Sequence, residues 1–177
     1  MTTFDPIALH RDLFHLCGPI LERGSVILPG NWGRILRLYG WRHAHSIREH
    51  ALEEARKALA PHLPSRLACA FVFLSRQEAE AFRGSVLDAR QSGFAAHVLY
   101  RVRLLDPSAP WFLTDGRNVS PTDTHVAWPR NYWLPLAEPW EVEGRQDSER
   151  VRSSLSVGHR ELLTLSRLTV EECLDRV

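Results

Sequence analysis

The chain has 177 residues, of which 44% are hydrophobic and 24% charged, and its net charge is +1. That length fits a single domain, residues 1–177, with a real core. Near-neutrality excludes a global field drawing the molecule onto nucleic acid or a membrane surface. No window reaches the length of a membrane span.

The start, MTTFDPIALHRDLFH, lacks the basic leader and continuous apolar run of a signal peptide. Three cysteines, Cys17, Cys69 and Cys173, have no metal-type spacing and read as reduced packing residues, with Cys173 in a terminal helix. Together these point to the cytoplasm. Lys57 is the only lysine, so 21 of the 22 cationic side chains are arginines, whose planar fork suits phosphate and carboxylate.

Residues 13–34 organise the chain. Leu13-Phe14 enters as a short strand, delivers His15, and turns at Cys17-Gly18-Pro19. A second strand-like run, Val26-Ile27-Leu28, ends in Pro29-Gly30-Asn31-Trp32-Gly33, where glycine allows a ligand to approach the main chain. One nitrogen of His15 can hold a ribose hydroxyl while a neighbour orients the other. A strand, a turn and a partly buried histidine account for the same residues.

Residues 34–60 read as mostly helical, with Ala44, Ile47, Ala51, Ala55, Ala58 and Leu59 in one stripe, a Glu53–Lys57 pair, and stops at Pro61 and Pro64. Within 32–48, Arg34, Arg37, Arg42 and Arg48 interleave with Trp32, Tyr39, Trp41, His43 and His45. Cations among aromatics suit phosphates and stacked bases, and equally a solvated helix face over packed rings. The run LACAFVFLS after Arg66 reads as a buried strand. Ser75 with Glu78 forms a capping box that opens a helix to about Phe82.

Residues 96–105 alternate, with Val98, Tyr100, Val102 and Leu104 on one face and Arg101 and Arg103 on the other. Residues 106–131 read as loop, and Trp128, Tyr132, Trp133 and Trp140 as a satellite core. Residues 141–159 carry dense mixed charge and few large apolar side chains. A strand pattern resumes at Arg160-Glu161-Leu162-Leu163-Thr164-Leu165, and Thr169 with Glu172 suggests a last short helix. Glu161 among leucines needs a partner or a place at a cleft; an arginine at the sheet end would satisfy it equally.

Sequence motifs exclude several chemistries. His45…Glu49-His50 misses the H-x-x-E-H zinc motif by one residue, which rotates His45 about 100° from the pair on a helix. His45 and Glu49 do share a face, yet two ligands do not make a catalytic zinc site, so no metal is expected. G-x-S-x-G, P-loop and G-x-G-x-x-G are all absent from the sequence.

The ordered segments FHLCGPILERGSVILPG, PSRLACAFVFLSRQEAEAFR, VLYRVRLLDPSAPWFLTD, NYW and RELLTLSRLTVEE resemble a bacterial family of poorly characterised proteins in the ADP-ribosyltransferase superfamily, over about residues 12–172. Residues 14–30 also resemble the start of the small antibiotic-modifying ADP-ribosyltransferases. The resemblance implies an α+β fold, an ADP-ribosyltransferase-like split, bent β-sheet pair with an NAD cleft and peripheral helices. It implies an enzyme, a toxin or effector, that moves ADP-ribose from NAD+ to a macromolecular acceptor, protein or nucleic acid, with NAD+ hydrolysis as a side activity. An immunity or antitoxin protein is a further implied partner.

By the same resemblance His15 bonds the nicotinamide-side ribose, and Glu161 bonds a ribose hydroxyl and steadies the oxocarbenium-like transition state. Cys17 lends backbone groups to the nicotinamide amide, and Phe71 or Phe73 stacks on the ring. Phe14, Ser75 and Tyr132 complete the cofactor-binding set; on physical grounds apart from the resemblance, charge-assisted bonds suit Arg66 or the Arg34–Arg48 belt to the pyrophosphate. Residues 141–159 would recognise the acceptor. A non-catalytic binding module of the same fold, holding nucleic acid or protein on the belt, is the alternative, with a small-molecule modifier third.

Overall fold

The computed structural model describes residues 12–88, 97–119, 128–134 and 160–175. Its strands are β1 (Leu13–Cys17), β2 (Val26–Ile27), β3 (Ala70–Val72), β4 (Val98–Leu104), β5 (Trp111–Asp115), β6 (Arg160–Thr164) and β7 (Leu168–Cys173). Its helices are α1 (Asn31–Tyr39), α2 (Ser46–Leu59), α3 (Arg76–Asp88) and α4 (Trp128–Tyr132). Among these residues no helix is long and apolar enough to cross a membrane.

Two curled antiparallel sheets form, ordered β1-β4-β7-β2 and β3-β6-β5. They meet where Phe14 and Phe73 exchange backbone hydrogen bonds of 3.0 and 2.8 Å. Beyond that bridge β1 turns to β4 and β3 to β6, so the sheets part on either side of it. The architecture is α+β.

Three cores follow from strand alternation. Leu13, Val72, Tyr100, Val102, Leu162 and Leu168 of both sheets form the first. Leu52 of α2 packs with Phe112, Tyr132, Trp133 and Leu163 in the second, and Phe14, Phe73, Ala79 and Leu99 form the third beneath α3. The alternation expected for β4 holds, and Arg103 on its other face pairs with Glu171 at 3.1 Å.

Several expected elements are corrected. The helix expected across 34–60 is two helices, broken at Gly40, whose φ of 54° is costly for a side-chain-bearing residue. The expected Glu53–Lys57 pair is replaced by Glu53–Arg56 and Glu54–Lys57, each at 2.8 Å. The buried strand narrows to Ala70–Val72 because Arg66–Ala68 coil into a 3-10 turn. Helix α3 runs past Phe82 to Asp88, with Ser75 capping as expected: its Oγ accepts from the Glu78 N–H at 3.2 Å.

Trp111–Asp115 forms a strand inside the expected loop, and Leu168–Cys173 forms another where a helix was expected. There Leu168 and Val170 alternate into the first core, a period of two that outweighs the cap-like spacing of Thr169 and Glu172. Cys173 is therefore a strand residue. Of the expected satellite cluster, Tyr132 and Trp133 are buried in the second core with Trp128 packed against it, and the Trp133 Nε1–H donates to the Leu52 carbonyl at 2.6 Å. Trp140 and residues 141–159 lie outside the described residues.

At Gly33 the close neighbour of the main chain is the protein itself. A Cβ there would collide with the Leu67 carbonyl oxygen and lie 3.0 Å from Leu67 C and 3.1 Å from Leu67 Cβ. Helix α1 can therefore approach the 66–68 turn only through glycine. Replacing an interior helical glycine by alanine ordinarily favours the helix by up to about 1 kcal/mol. Gly33→Ala is expected to reverse that sign and cost about 1–3 kcal/mol by overpacking, read as a lower urea midpoint. An unchanged or higher midpoint would refute the close approach.

Candidate functional site

Arg66 is the hub of the site. Its turn is set locally: Ser65 Oγ accepts from the Leu67 N–H at 3.2 Å and donates to Glu53 at 2.8 Å, while Arg56 holds the carbonyls of Pro61 and Leu63. This fastens the turn to α2 and aims the Arg66 guanidinium inward. It lies 4.7 Å from the Phe71 ring centroid and 4.8 Å from that of Tyr132, a favourable cation–π placement.

Two carboxylates meet it. Arg66 Nε donates to Glu49 at 3.0 Å and Nη1 to Glu161 Oε2 at 2.6 Å. Glu49 also takes Arg48 at 2.8 Å. The Tyr132 hydroxyl touches Arg66 Nη1 and donates to Glu161 Oε2 at 2.7 Å. Tyr132 is fixed from behind, because its carbonyl accepts from Thr114 Oγ1 at 2.6 Å. Two carboxylates therefore face two guanidiniums around one phenol.

Glu161 is only 6% exposed, and Arg66 5%. Burial alone lowers the pKa of Arg66, yet Glu161, the Tyr132 oxygen and Glu49 together raise it well above the ordinary arginine range. Burial pushes Glu49 up, and Arg66 and Arg48 overcome this and hold it below the ordinary carboxylate range. Tyr132 is raised well above 10, chiefly by burial, and stays a neutral donor. Both hydrogen bonds to Glu161 end on Oε2; among the described residues none reaches Oε1.

His15 sits where β1 leaves β3. Its Nδ1 lies 2.7 Å from the Phe71 carbonyl oxygen. A carbonyl only accepts, so Nδ1 carries the proton and Nε2 keeps its lone pair in the neutral ring. His15 and Glu161 are joined only indirectly: Phe71 gives its carbonyl to His15 and its ring face to Arg66, the partner of Glu161. Alternation puts His15 on the side of Leu13 and Cys17, and Glu161 on the side of Leu163.

Burial, followed by the neighbouring His97, lowers the His15 pKa against the raising effect of the Phe71 carbonyl. Above the ordinary value of 6.5 both folded and unfolded forms are neutral. Below it the unfolded chain takes up the proton more readily, so stability falls as pH falls; His45 and His97, also lowered, act in the same direction. Between pH 7 and 5.5 the urea midpoint is expected to drop, and to drop less in His15→Asn. Equal drops in both proteins would show that His15 is not the group being charged.

The other expected site residues are dispersed. Phe14 and Phe73 are buried in the third core, Phe73 against Phe82 at 5.2 Å. Ser75 is engaged as the α3 cap and donates to Glu78 at 2.9 Å. The Cys17 thiol is pushed up to about 11 by burial and then by Cys173, and that of buried Cys69 to about 12 by burial, so neither is a ready thiolate at neutral pH. Among the described residues no group of three or more His, Cys, Asp or Glu is arranged to hold a metal.

Glu49, weighed from the sequence only as a metal ligand beside His45, is instead a partner of Arg66. Its signal is local: Ser46, Glu49 and Leu52 recur at three-residue spacing, and all three are buried. A carboxylate in such a stripe calls for a buried cation.

The fold and this site define an α+β protein with a buried carboxylate–arginine–phenol cluster beside the junction of two antiparallel sheets. No protein-family model matches the chain, and no curated protein matches it.

Proposed function

We propose that this protein is an NAD+-dependent ADP-ribosyltransferase of the ADP-ribosyltransferase-like fold, moving ADP-ribose to a macromolecular acceptor through Glu161, with NAD+ hydrolysis as a side activity. The observation that carries the reading is the one-sided engagement of Glu161. Arg66 and Tyr132 hold Oε2, while Oε1 takes no hydrogen bond among the described residues. A fixed carboxylate whose second oxygen is unbonded among the described residues suits a ribose hydroxyl and the positive charge that develops as nicotinamide departs with its bonding electrons. The order β1, β3, β6 adds support, since the strands of His15 and Glu161 flank a single aromatic strand. His15 Nε2, held by the Nδ1 contact to Phe71, is the lone pair offered to the nicotinamide-side ribose.

The burial of Glu161 in an ion pair favours one second reading, a non-catalytic module of the same fold in which the cluster only holds β6 to the 66–68 turn. Nicotinamide release from NAD+ separates the two. The transferase releases it and loses that activity in Glu161→Gln, whereas the module releases none.

A further inference from the structure

The surface of α1, the Gly40–Arg42 turn and the start of α2 is left unused by the site. Leu38, Tyr39, Trp41 and Ile47 are 80%, 56%, 72% and 76% exposed there, among the largest apolar exposures of the described residues. Arg34, Arg37 and Arg42 are also exposed, and among the described residues no carboxylate pairs with any of them. No Asp or Glu occurs from Asn31 to Arg48. The next acid, Glu49, is buried and committed to Arg48 and Arg66.

We propose that this face binds a single-stranded nucleic acid. The observations are arginines without carboxylate partners among the described residues (Arg34 donates only to the Pro29 carbonyl, at 3.1 Å), the two exposed aromatic rings of Tyr39 and Trp41 between them, and a polar surface of one sign. Arginines without carboxylates take phosphates by charge-assisted, bidentate bonds. Exposed indole and phenol rings take bases on their faces. Leu38 and Ile47 offer apolar contact to bases turned out of a helix. A protein partner with an ordinary mixed rim would leave its own cations without counterparts here.

The face also adjoins the candidate site. Arg48, at its end, contacts Glu49 at 2.8 Å, Glu49 contacts Arg66 at 3.0 Å, and Arg66 contacts Glu161 at 2.6 Å. This inference deepens the transferase reading by naming the acceptor class and rests on that reading for the transfer itself. The binding step does not.

The test is fluorescence anisotropy with labelled dT20 and U20, without NAD+, with all variants first checked by thermal melting. The wild type is expected to bind both strands, with log K against log salt falling at a slope of about −2 if roughly three phosphates are neutralised. R37E/R42E should weaken binding by on the order of ten-fold or more at 50 mM salt, and W41A by at least about five-fold with little change in slope. R23E/R167E makes the same charge change at two exposed arginines on turns of the first sheet region and should stay within about two-fold of wild type.

Absence of saturable binding overturns the proposal, and so does equal weakening by R23E/R167E. An unaffected W41A, or a duplex competing as well as the single strand, reduces the effect to phosphate attraction and also overturns it. Binding of a Glu-rich, leucine-faced helical peptide in place of the strands would assign the face to protein. Glu161→Gln should bind the strands as wild type does. Strand binding without nicotinamide release therefore sinks only the transferase reading, and release without strand binding sinks only this one.

Discussion

Replacing Arg66 by alanine is expected to destabilise the protein by about 3–5 kcal/mol, the usual cost of removing one partner from a buried ion pair. Arg66 joins Glu49 on α2, Glu161 on β6 and Tyr132 on α4, and it lies between two aromatic rings. Its loss leaves Glu161, 6% exposed, with the Tyr132 hydroxyl as its one side-chain partner among the described residues, while Glu49 keeps Arg48. Urea unfolding at pH 7 reads the loss directly. Arg66→Lys should recover only part of it, because one ammonium cannot serve both carboxylates in the plane that the rings impose.

The pH dependence gives an independent check. Glu49 has its pKa held down in the folded protein, so its contribution is present above about 4.5 and is lost as pH falls through the folded value. Without Arg66 that contribution shrinks, and the gap between wild type and Arg66→Ala should narrow below pH 4.5. A loss smaller than about 1 kcal/mol at pH 7, no more than a surface ion pair contributes, would show that the cluster does not hold the fold together.

How much of this was legible in the sequence depended on the range of the interaction. Alternation marked β4, the apolar run after Glu161 marked β6, and the Ser75–Glu78 cap marked the start of α3, because each signal lies within a few residues. The carboxylate at Glu161 was legible as a group needing a partner; which arginine supplies it was not. Arg66 lies 95 residues away along the chain, Tyr132 29, and Glu49 lies 17 from Arg66. With 21 arginines in the sequence, composition could not choose among them. The errors at β5 and β7 share a cause. Thr169 and Glu172 have the spacing of a cap, but Leu168 pairs with Leu104 and Val170 with Val102, and cross-strand pairing decides over local propensity. Gly40, which breaks the expected long helix, was a local signal open to reading.

Under the proposed transferase function, the same cluster also sets what Glu161 could do chemically. Glu161→Gln is expected to lower nicotinamide release by on the order of 10²–10³, the usual effect of removing an electrostatic group aimed at transition-state charge. NAD+ affinity measured by calorimetry should change far less, because that charge is absent in the ground state. Glutamine keeps an oxygen for the Tyr132 hydroxyl and removes the charge beside Arg66, so some stability is lost as well. Tyr132→Phe separates the two effects. It deletes the 2.7 Å bond to Oε2 but leaves the carboxylate and its 2.6 Å contact with Arg66. If charge at Glu161 drives the chemistry, Tyr132→Phe loses stability but retains most of the turnover, while Glu161→Gln loses turnover at temperatures where both are folded. If turnover instead follows stability across Tyr132→Phe, Arg66→Lys and Glu161→Gln alike, the cluster is a structural clamp and the reacting carboxylate lies elsewhere. Wild-type protein that binds NAD+ but releases no nicotinamide would sustain the non-catalytic module, since a carboxylate already committed on Oε2 to Arg66 then serves the fold alone.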